Sequence, residues 1–475
     1  MLILIKQTKI GRVVVIVVSV ENGCLPTLVR SFNMTITLHP STITGEISAI
    51  PSKSHLHRLL IYAALADKAT QILCAETEAE DIRATIDCLS ALGSVIVRNE
   101  DGFSVTPICR VQLSQRAKNM IVFPCGESGS TLRFMLPVVC ALGVRGAFEM
   151  KGRLPQRPLS PLDSQLENHG IRLWRDDVSS TKLQSAKDGS GVFLHCEGQL
   201  QPSENYELAG DISSQYITGL LMALPLLEKS SRLTVHEPIE SADYITMTLD
   251  AAEAFGYKPP INRNMYELRG VGSFTSPSRV ETEGDWSNGA FWLCAGAMPH
   301  GDISLKGLRK NSSQGDRQIY DILDKMGVNI SWQDETIRIK EAQRNSLQID
   351  ARAIPDLIPV LAAVAAVGNG TTIFQNASRL RIKESDRLMS TAKTLATLGA
   401  DIKETPDGLI VTGVKSLKGG TVDAHGDHRI AMMAAIASAA CSEPVTITGA
   451  QAVNKSYPNF WRDLESLGKK VVKEA

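Results

Sequence analysis

Six stretches of the chain are apolar on most sides: LLIYAALA (59–66), RFMLPVVCALG (133–143), TGLLMALPLL (218–227), AFWLCAGAM (290–298), LIPVLAAVAAVGNG (357–370) and IAMMAAIASAA (430–440). Rich in Ala, Leu and Met, they predict buried helices. A short β-rich run follows each: ATQILCA, GAFEMKG, SRLTVHE, GDISLKG, TTIFQNA and PVTITGA. Next comes an outer helix ending at a glycine: Gly93, Gly170, Gly256, Gly327, Gly399 and Gly468, at intervals of 77, 86, 71, 72 and 69 residues. Each glycine suits the position just past a helix, where the backbone turns left-handed. Strand-like segments follow four of them, at 94–97, 171–174, 328–331 and 400–403. The unit reads as strand, buried helix, strand, outer helix, then one or two strands. Its period is too long for a solenoid, whose repeats run about 20–50 residues. The alternation predicts an α/β architecture with partly parallel sheets, and three units per domain would give two similar lobes.

Composition narrows the function. The 475 residues carry 50 basic and 51 acidic side chains, and 5% are aromatic. A nucleic-acid binder needs a basic excess and stacking surfaces, so this balance argues against one. Nine cysteines, an odd number without a CxxC pair, suggest reduced thiols in a cytoplasmic protein. No HExxH or Cys/His cluster has zinc spacing. No run reaches the roughly 18 apolar residues of a membrane span. In the opening segment, Val13–Val20 follows Lys6, Lys9 and Arg12 as in a signal peptide, but Glu21-Asn22-Gly23-Cys24 replaces a cleavage site. Residues 1–33 therefore read as an extra strand, or as an extension ahead of Met34 that stands outside the catalytic fold.

The starts of the helices carry the candidate chemistry. The first reads Pro51-Ser52-Lys53-Ser54-His55-Leu56-His57-Arg58, with Ser54 as the expected N-cap. The second reads Gly126-Glu127-Ser128-Gly129-Ser130-Thr131-Leu132-Arg133. The third opens at Ser213-Ser214-Gln215 and the sixth at Gly426-Asp427-His428-Arg429, while Lys383-Glu384-Ser385-Asp386-Arg387 opens the fifth outer helix. A cation in a helix's first turn costs ~0.3–1 kcal/mol against the dipole. A local rule broken repeatedly marks function. The arrangement becomes favourable when anions bind the free N–H groups there, and arginine adds a fork matched to carboxylate and phosphate. A multi-anion site is expected. Among these cations Asp356 and Glu384 would stay ionised and could move protons. Asp356 reads equally as an ordinary acid at a helix start. His428, between Asp427 and Arg429, reads as a solvent-facing or site residue.

Five motifs in order, PSKSxxxR (51–58), SGSTLR (128–133), SSQ (213–215), RIKESDR (381–387) and DHR (427–429), resemble those of the 5-enolpyruvylshikimate-3-phosphate (EPSP) synthase family, over roughly Met34 to Ser466. The resemblance implies two lobes, each of three βαβαββ units in an inside-out α/β barrel, with the active site in the cleft between them. It divides the chain into 51–282 and 34–50 plus 283–475. It implies transfer of the enolpyruvyl group of phosphoenolpyruvate to the 5-hydroxyl of shikimate 3-phosphate, with release of phosphate. Neither a metal nor an organic cofactor is expected, nor nucleic acid or membrane as partner, and the enzyme is expected to be a monomer.

By the same resemblance, Lys53 touches both substrates, while Ser54 and Arg58 hold the shikimate moiety. Ser213, Ser214 and Ser241 clamp its phosphate, with Tyr244 nearby, and Asp356 and Lys383 hold its hydroxyls. Gln215 sits between the substrates. Gly129, Arg157, Arg387, Arg429 and Lys455 bind phosphoenolpyruvate, with Ser130, Arg133 and His428 in support. Glu384 exchanges the proton at C3 and Asp356 takes the hydroxyl proton, with Lys53 a competitor for either task. Glu127, Phe134 and Arg379 depart from the family pattern, where asparagine, proline and asparagine are frequent.

Three rival readings stay open. Enolpyruvyl transfer to UDP-N-acetylglucosamine shares fold and donor but would show a GAKNA-like first motif and a cysteine loop near Arg157. An RNA-processing enzyme is opposed by the neutral charge. A non-catalytic phosphometabolite binder gains nothing from Asp356 and Glu384 beside its anions.

Overall fold

The computed structural model describes residues 2–7, 13–18, 34–75, 77, 79–116, 119–176 and 191–474. All six expected buried helices form, as Lys53–Ala64, Gly129–Ala141, Ser214–Ala223, Trp286–Ala297, Ile358–Ala365 and His428–Ala437. Every residue of Trp286–Ala297 is buried, as the absence of a polar face requires.

The strand after each helix is the second strand of a four-stranded sheet. In the second unit Gly146–Met150 pairs parallel with Ile121–Gly126 and antiparallel with Val192–Gly198, which carries Ile171–Arg175 at the edge. Parallel neighbours need a crossover, and the buried helix supplies it. Among the described residues the same order recurs in six sheets. The six glycines that end the outer helices all have φ between +72° and +101°, a backbone that only glycine adopts readily.

Two of the sheets borrow strands from before the first helix. Thr44–Ser48 opens the sheet of Asp302–Lys306, and Thr35–Leu38 completes that of Val445–Thr448. The first sheet in turn takes Arg279–Glu281 beside Thr70–Leu73. Two cores result, one drawn from Leu56 to Phe274, the other from Ile36 to Ile47 and from Trp286 to Leu467. The molecule is an α/β protein of two similar lobes. The chain passes between the cores twice at one place. There Pro51 bridges Gly284, Ser52 N–H donates to the Glu283 carbonyl at 2.7 Å, and Asp285 N–H donates to that of Ile50 at 2.8 Å.

One helix start differs from expectation. The first helix is capped by Ser52, whose hydroxyl accepts from His55 N–H, so Ser54 lies inside the first turn. The second is capped by Ser128. Arg58 and Arg133 thus fall in second turns, where the dipole is weaker; Arg387 and Arg429 remain in first turns. Of residues 1–33, Leu2–Gln7 and Val13–Val18 pair antiparallel with each other, and the rest of that segment, with Cys24, lies outside the described residues. Among the described residues eight cysteines are free thiols. Among the described residues no helix is long and apolar enough to cross a membrane, and no three metal-type ligands gather.

Candidate active site

Helix N-termini from both lobes converge on one cleft. One lobe presents Lys53 and Ser54, then Gly129, Ser130 and Arg133, then Ser213, Ser214 and Gln215; the other presents Ser287 and Asn288, His428 and Arg429, and Arg387. First-turn N–H groups lack intrahelical partners, so such a convergence is a cradle for anions.

Seven cations line it (Lys53, Arg133, Arg157, Arg379, Lys383, Arg387 and Arg429) against four carboxylates (Asp81, Asp285, Asp356 and Glu384). The central groups alternate in sign. Arg157 Nη1 reaches Glu384 Oε1 at 3.2 Å, and Arg387 Nη2 reaches Glu384 Oε2 at 2.8 Å. Arg387 Nη1 meets Asp356 Oδ1 at 2.6 Å, and Arg429 Nη2 meets Asp356 Oδ2 at 3.2 Å. Burial alone would raise both carboxyl pKa values. Arg429, Lys383 and Arg387 instead hold Asp356 well below the carboxylate range, and Arg157 and Arg387 do the same for Glu384. Lys383 has no ion-pair partner among the described residues, and burial pushes it down to about 8 against the pull of Asp356. Burial holds His428 at about 3, so it is neutral at pH 7 rather than one more cation.

Lys53 pairs with Asp81 at 2.6 Å, and its N–H donates to Asp285 Oδ2 across the lobes at 3.0 Å. Gln215 links two helices, accepting from Arg133 Nη1 at 3.1 Å and donating to Ser130 Oγ at 2.9 Å. At the far end Arg379 reaches Glu240 at 2.9 Å and Ser241 Oγ at 3.3 Å, so this departure from the family pattern sets a cation beside the expected phosphate clamp. Ser241 and Tyr244 line the same end.

The signature described as EPSP synthase (3-phosphoshikimate 1-carboxyvinyltransferase) matches residues 38–464. The chain belongs to the EPSP synthase family. It is 40% identical over 438 residues to the 3-phosphoshikimate 1-carboxyvinyltransferase of Clostridium novyi (strain NT), across 91% of this chain and 97% of that one. The enzyme of that name from Clostridium kluyveri is 38% identical over 436 residues, with the same two coverages. In fold the chain is similar to the EPSP synthase from Acinetobacter baumannii, with a TM-score of 0.74 and 23% identity over 93% of this chain and 100% of that one. It is also similar to the enolpyruvyl transferase NikO from Streptomyces tendae, with a TM-score of 0.71 and 17% identity over 93% and 99%.

Two residues that the family resemblance places on substrate do not line the cleft. Arg58 is buried beneath it. Its guanidinium donates to Thr248 Oγ1 at 2.8 Å, to the Tyr244 carbonyl at 2.9 Å and to the Ser54 carbonyl at 2.6 Å, tying helices together. Lys455 sits where the lobes meet, paired with Glu127 and donating to the Gly426 carbonyl at 2.9 Å. Glu127, the second departure, thus finds its cation on the other lobe. Phe134, the third, is buried in the core, its ring 5.2 Å from the Arg58 guanidinium.

Sequence reasoning passed over Asp81, Asp285, Ser287 and Asn288, which line the cleft, and Asp427 behind it. Asp427 caps its helix through Arg429 N–H and holds Arg387 Nε at 2.8 Å. Asp285 caps the fourth buried helix. The signal was present, because the six-fold register sets Asp285 at a helix start equivalent to that of Asp427.

Proposed function

We propose that this chain is a 3-phosphoshikimate 1-carboxyvinyltransferase, joining phosphoenolpyruvate to the 5-hydroxyl of shikimate 3-phosphate in aromatic amino-acid biosynthesis. The observation that carries it is the alternating row Arg157–Glu384–Arg387–Asp356–Arg429 in a cleft rimmed by helix N-termini. The two substrates bring two phosphates and two carboxylates, and the cations outnumber the acids. Relatives of that name along nearly the whole chain support the same reading.

In this reading Ser213, Ser214, Ser241 and Arg379 hold the acceptor phosphate, while Ser54, Tyr244 and Lys383 hold the shikimate ring. Arg157, Arg387 and Arg429 take the donor's anions, with Gly129 and Gln215 beside them and Lys53 between the substrates. Arg58 and Lys455 act from outside the cleft, the first by orienting Tyr244, the second by pinning the rim. Ser130, Arg133 and His428 support the helix starts. We assign the lobes to 51–282 and to 34–50 plus 283–475, in keeping with the two cores. We place the enzyme in the cytoplasm, in keeping with its free thiols, and as a monomer, in keeping with a row of cleft residues complete within one chain.

The ion pairs suggest how proton transfer is timed. Donor anions compete for the arginines that restrain Asp356 and Glu384. As the arginines turn to substrate, the carboxylates lose partners and their basicity rises. Glu384, once its basicity has risen, takes up a proton and delivers it to C3 while Asp356 takes the hydroxyl proton as that oxygen attacks C2. The tetrahedral adduct then expels phosphate, which leaves with the proton held by Asp356, while Glu384 recovers a proton from C3. Lys53 remains the competing group for either transfer.

The test is phosphate release by the purified protein. It should require phosphoenolpyruvate and shikimate 3-phosphate together. Release with UDP-N-acetylglucosamine in place of shikimate 3-phosphate, and none with the latter, would move the assignment to another acceptor. No release with either would leave a binding protein.

A further inference from the structure

One buried acid behind the cleft has no part in the scheme above. Asp316 is 1% exposed. Its Oδ2 accepts from Ser287 Oγ, and its Oδ1 has no hydrogen-bond partner among the described residues. Ser287 lines the cleft, and its carbonyl accepts from Arg429 Nη1 at 3.1 Å. The loop that carries Asp316 cannot drift away. The neighbouring Gln314 side chain accepts from Ser52 Oγ at 3.0 Å and from Trp286 N–H at 3.1 Å where the chain crosses between lobes. Gly315 is packed so closely that a Cβ there would lie 2.6 Å from Asp243 Oδ2 of the other lobe.

We propose that Asp316, acting through Ser287, is a positioning residue that keeps Arg429 free to hold the donor's anion. The reading rests on the enolpyruvyl-transferase assignment and deepens it. The charged and titratable groups that face Asp316 are Asp356, Arg429, Asp285 and Tyr244. Burial, then Asp356, pushes its carboxyl up to about 7, although Arg429 pulls the other way. A neutral Asp316 accepts from Ser287 Oγ without setting a further charge beside Arg429, and so anchors the residue whose carbonyl aims Arg429. Once ionised it becomes another carboxylate beside Arg429, whose other arm already serves Asp356. Arg429 is then drawn back into the protein, and the donor anion is held less well.

The test compares the phosphoenolpyruvate KM of wild type and Asp316→Asn from about pH 6 to about pH 9. Substrate phosphates also titrate near pH 6, but identically for both enzymes, so they cancel in the ratio. The wild-type KM should rise relative to that of Asp316→Asn above about pH 7, approaching tenfold per pH unit, as one proton demands. Asp316→Ala should raise the KM about tenfold at every pH while kcat moves less, because an unanchored Ser287 costs orientation of Arg429. Should that variant fail to fold, Ser287→Ala removes the same link and should show the same KM rise. Parallel KM curves for wild type and Asp316→Asn overturn the proposal while leaving the transferase reading intact. Absence of phosphate release by wild type overturns that reading and this one with it.

Discussion

Glu384 is held at 3.2 Å by an arginine of the opposite lobe and at 2.8 Å by one of its own. Such a carboxylate is a weak base until something takes those cations, which makes its replacement informative. Glu384→Gln keeps size and much of the hydrogen bonding but cannot carry the proton. It should lower kcat by ~10²–10⁴, the usual share of general acid–base catalysis, with a smaller change in KM. Hydrogen exchange at C3 of phosphoenolpyruvate in deuterated water should slow in step; exchange at the wild-type rate with product formation lost would pass the role to Lys53. Lys383 yields a prediction of opposite sign. Burial lowers it to about 8, so it loses its charge as pH rises through that value. The kcat/KM for shikimate 3-phosphate should therefore fall above about pH 8, and Lys383→Arg should carry that limb upward; a limb that stays put in the arginine variant would acquit Lys383. At this scale the sequence was most legible where residues break local rules. Cations at helix starts are costly, and Arg387, Arg429 and Lys53 stood out for it. Asp285 and Asp427 did not, because an acid at a helix start is where acids belong. Nor did Asp316, whose neighbours Tyr244, Asp356 and Arg429 come from distant stretches of the chain. The direction of Arg58 turns on how its helix rotates against two others, which no local pattern encodes.

The helix N-terminus is the working element here, and its caps are tied to the cations beside it. Asp427 caps the helix His428–Ala437 through Arg429 N–H, accepts from Ser385 Oγ at 3.0 Å and holds Arg387 Nε at 2.8 Å while fully buried. Asp427→Ala removes a cap and leaves part of a buried guanidinium unpaired. Breaking a buried pair costs about 3–5 kcal/mol, and the lower end is expected because Arg387 keeps Asp356 and Glu384. Urea denaturation should show that loss; a change under about 1 kcal/mol would mean that the remaining partners suffice. Gly129, the first residue of its helix, gives another case. A Cβ there would lie 2.5 Å from Arg133 Nη1 and 2.7 Å from Arg157 Nη1. Gly129→Ala should push Arg157 off its line and raise the phosphoenolpyruvate KM by about tenfold, the size of one weakened charged hydrogen bond; an unaltered KM would show that both guanidiniums yield freely. Elements were the most legible scale of the fold. Buried helices declare themselves by having no polar face, and the spaced glycines marked six helix ends. Sheet order was not legible, since Thr35–Leu38 pairs with Val445–Thr448 across most of the chain and no local signal specifies so distant a partner.

At the scale of the whole molecule, two faces lined only with cations would repel and hold the cleft open until anions arrive. Here each face also carries acids that reach across. Arg157 meets Glu384, Arg379 meets Glu240 at 2.9 Å, Lys455 meets Glu127, and Arg153 Nη1 donates to the Glu384 carbonyl at 3.4 Å. The protein's own carboxylates thus stand partly where substrate anions would, and closure is a competition between internal and substrate anions for the same cations. Internal pairs near the rim are weak and screened by salt, whose Debye length shrinks from ~10 Å at 0.1 M to ~3 Å at 1 M. Substrate anions deep among helix N-termini are screened far less. Small-angle scattering should therefore show a radius of gyration that grows as salt rises from about 0.05 M to about 0.5 M without substrate. Saturating shikimate 3-phosphate should restore compaction at the higher salt, because its phosphate and hydroxyls engage groups of both lobes at once. Glu240→Gln combined with Glu127→Gln removes two rim pairs without touching the cleft centre, and should move the expansion to lower salt while leaving the compact, substrate-bound dimension alone. A radius indifferent to salt and substrate alike would mean that the hinge near Pro51 and Gly284, not the charges, fixes how far apart the lobes stand.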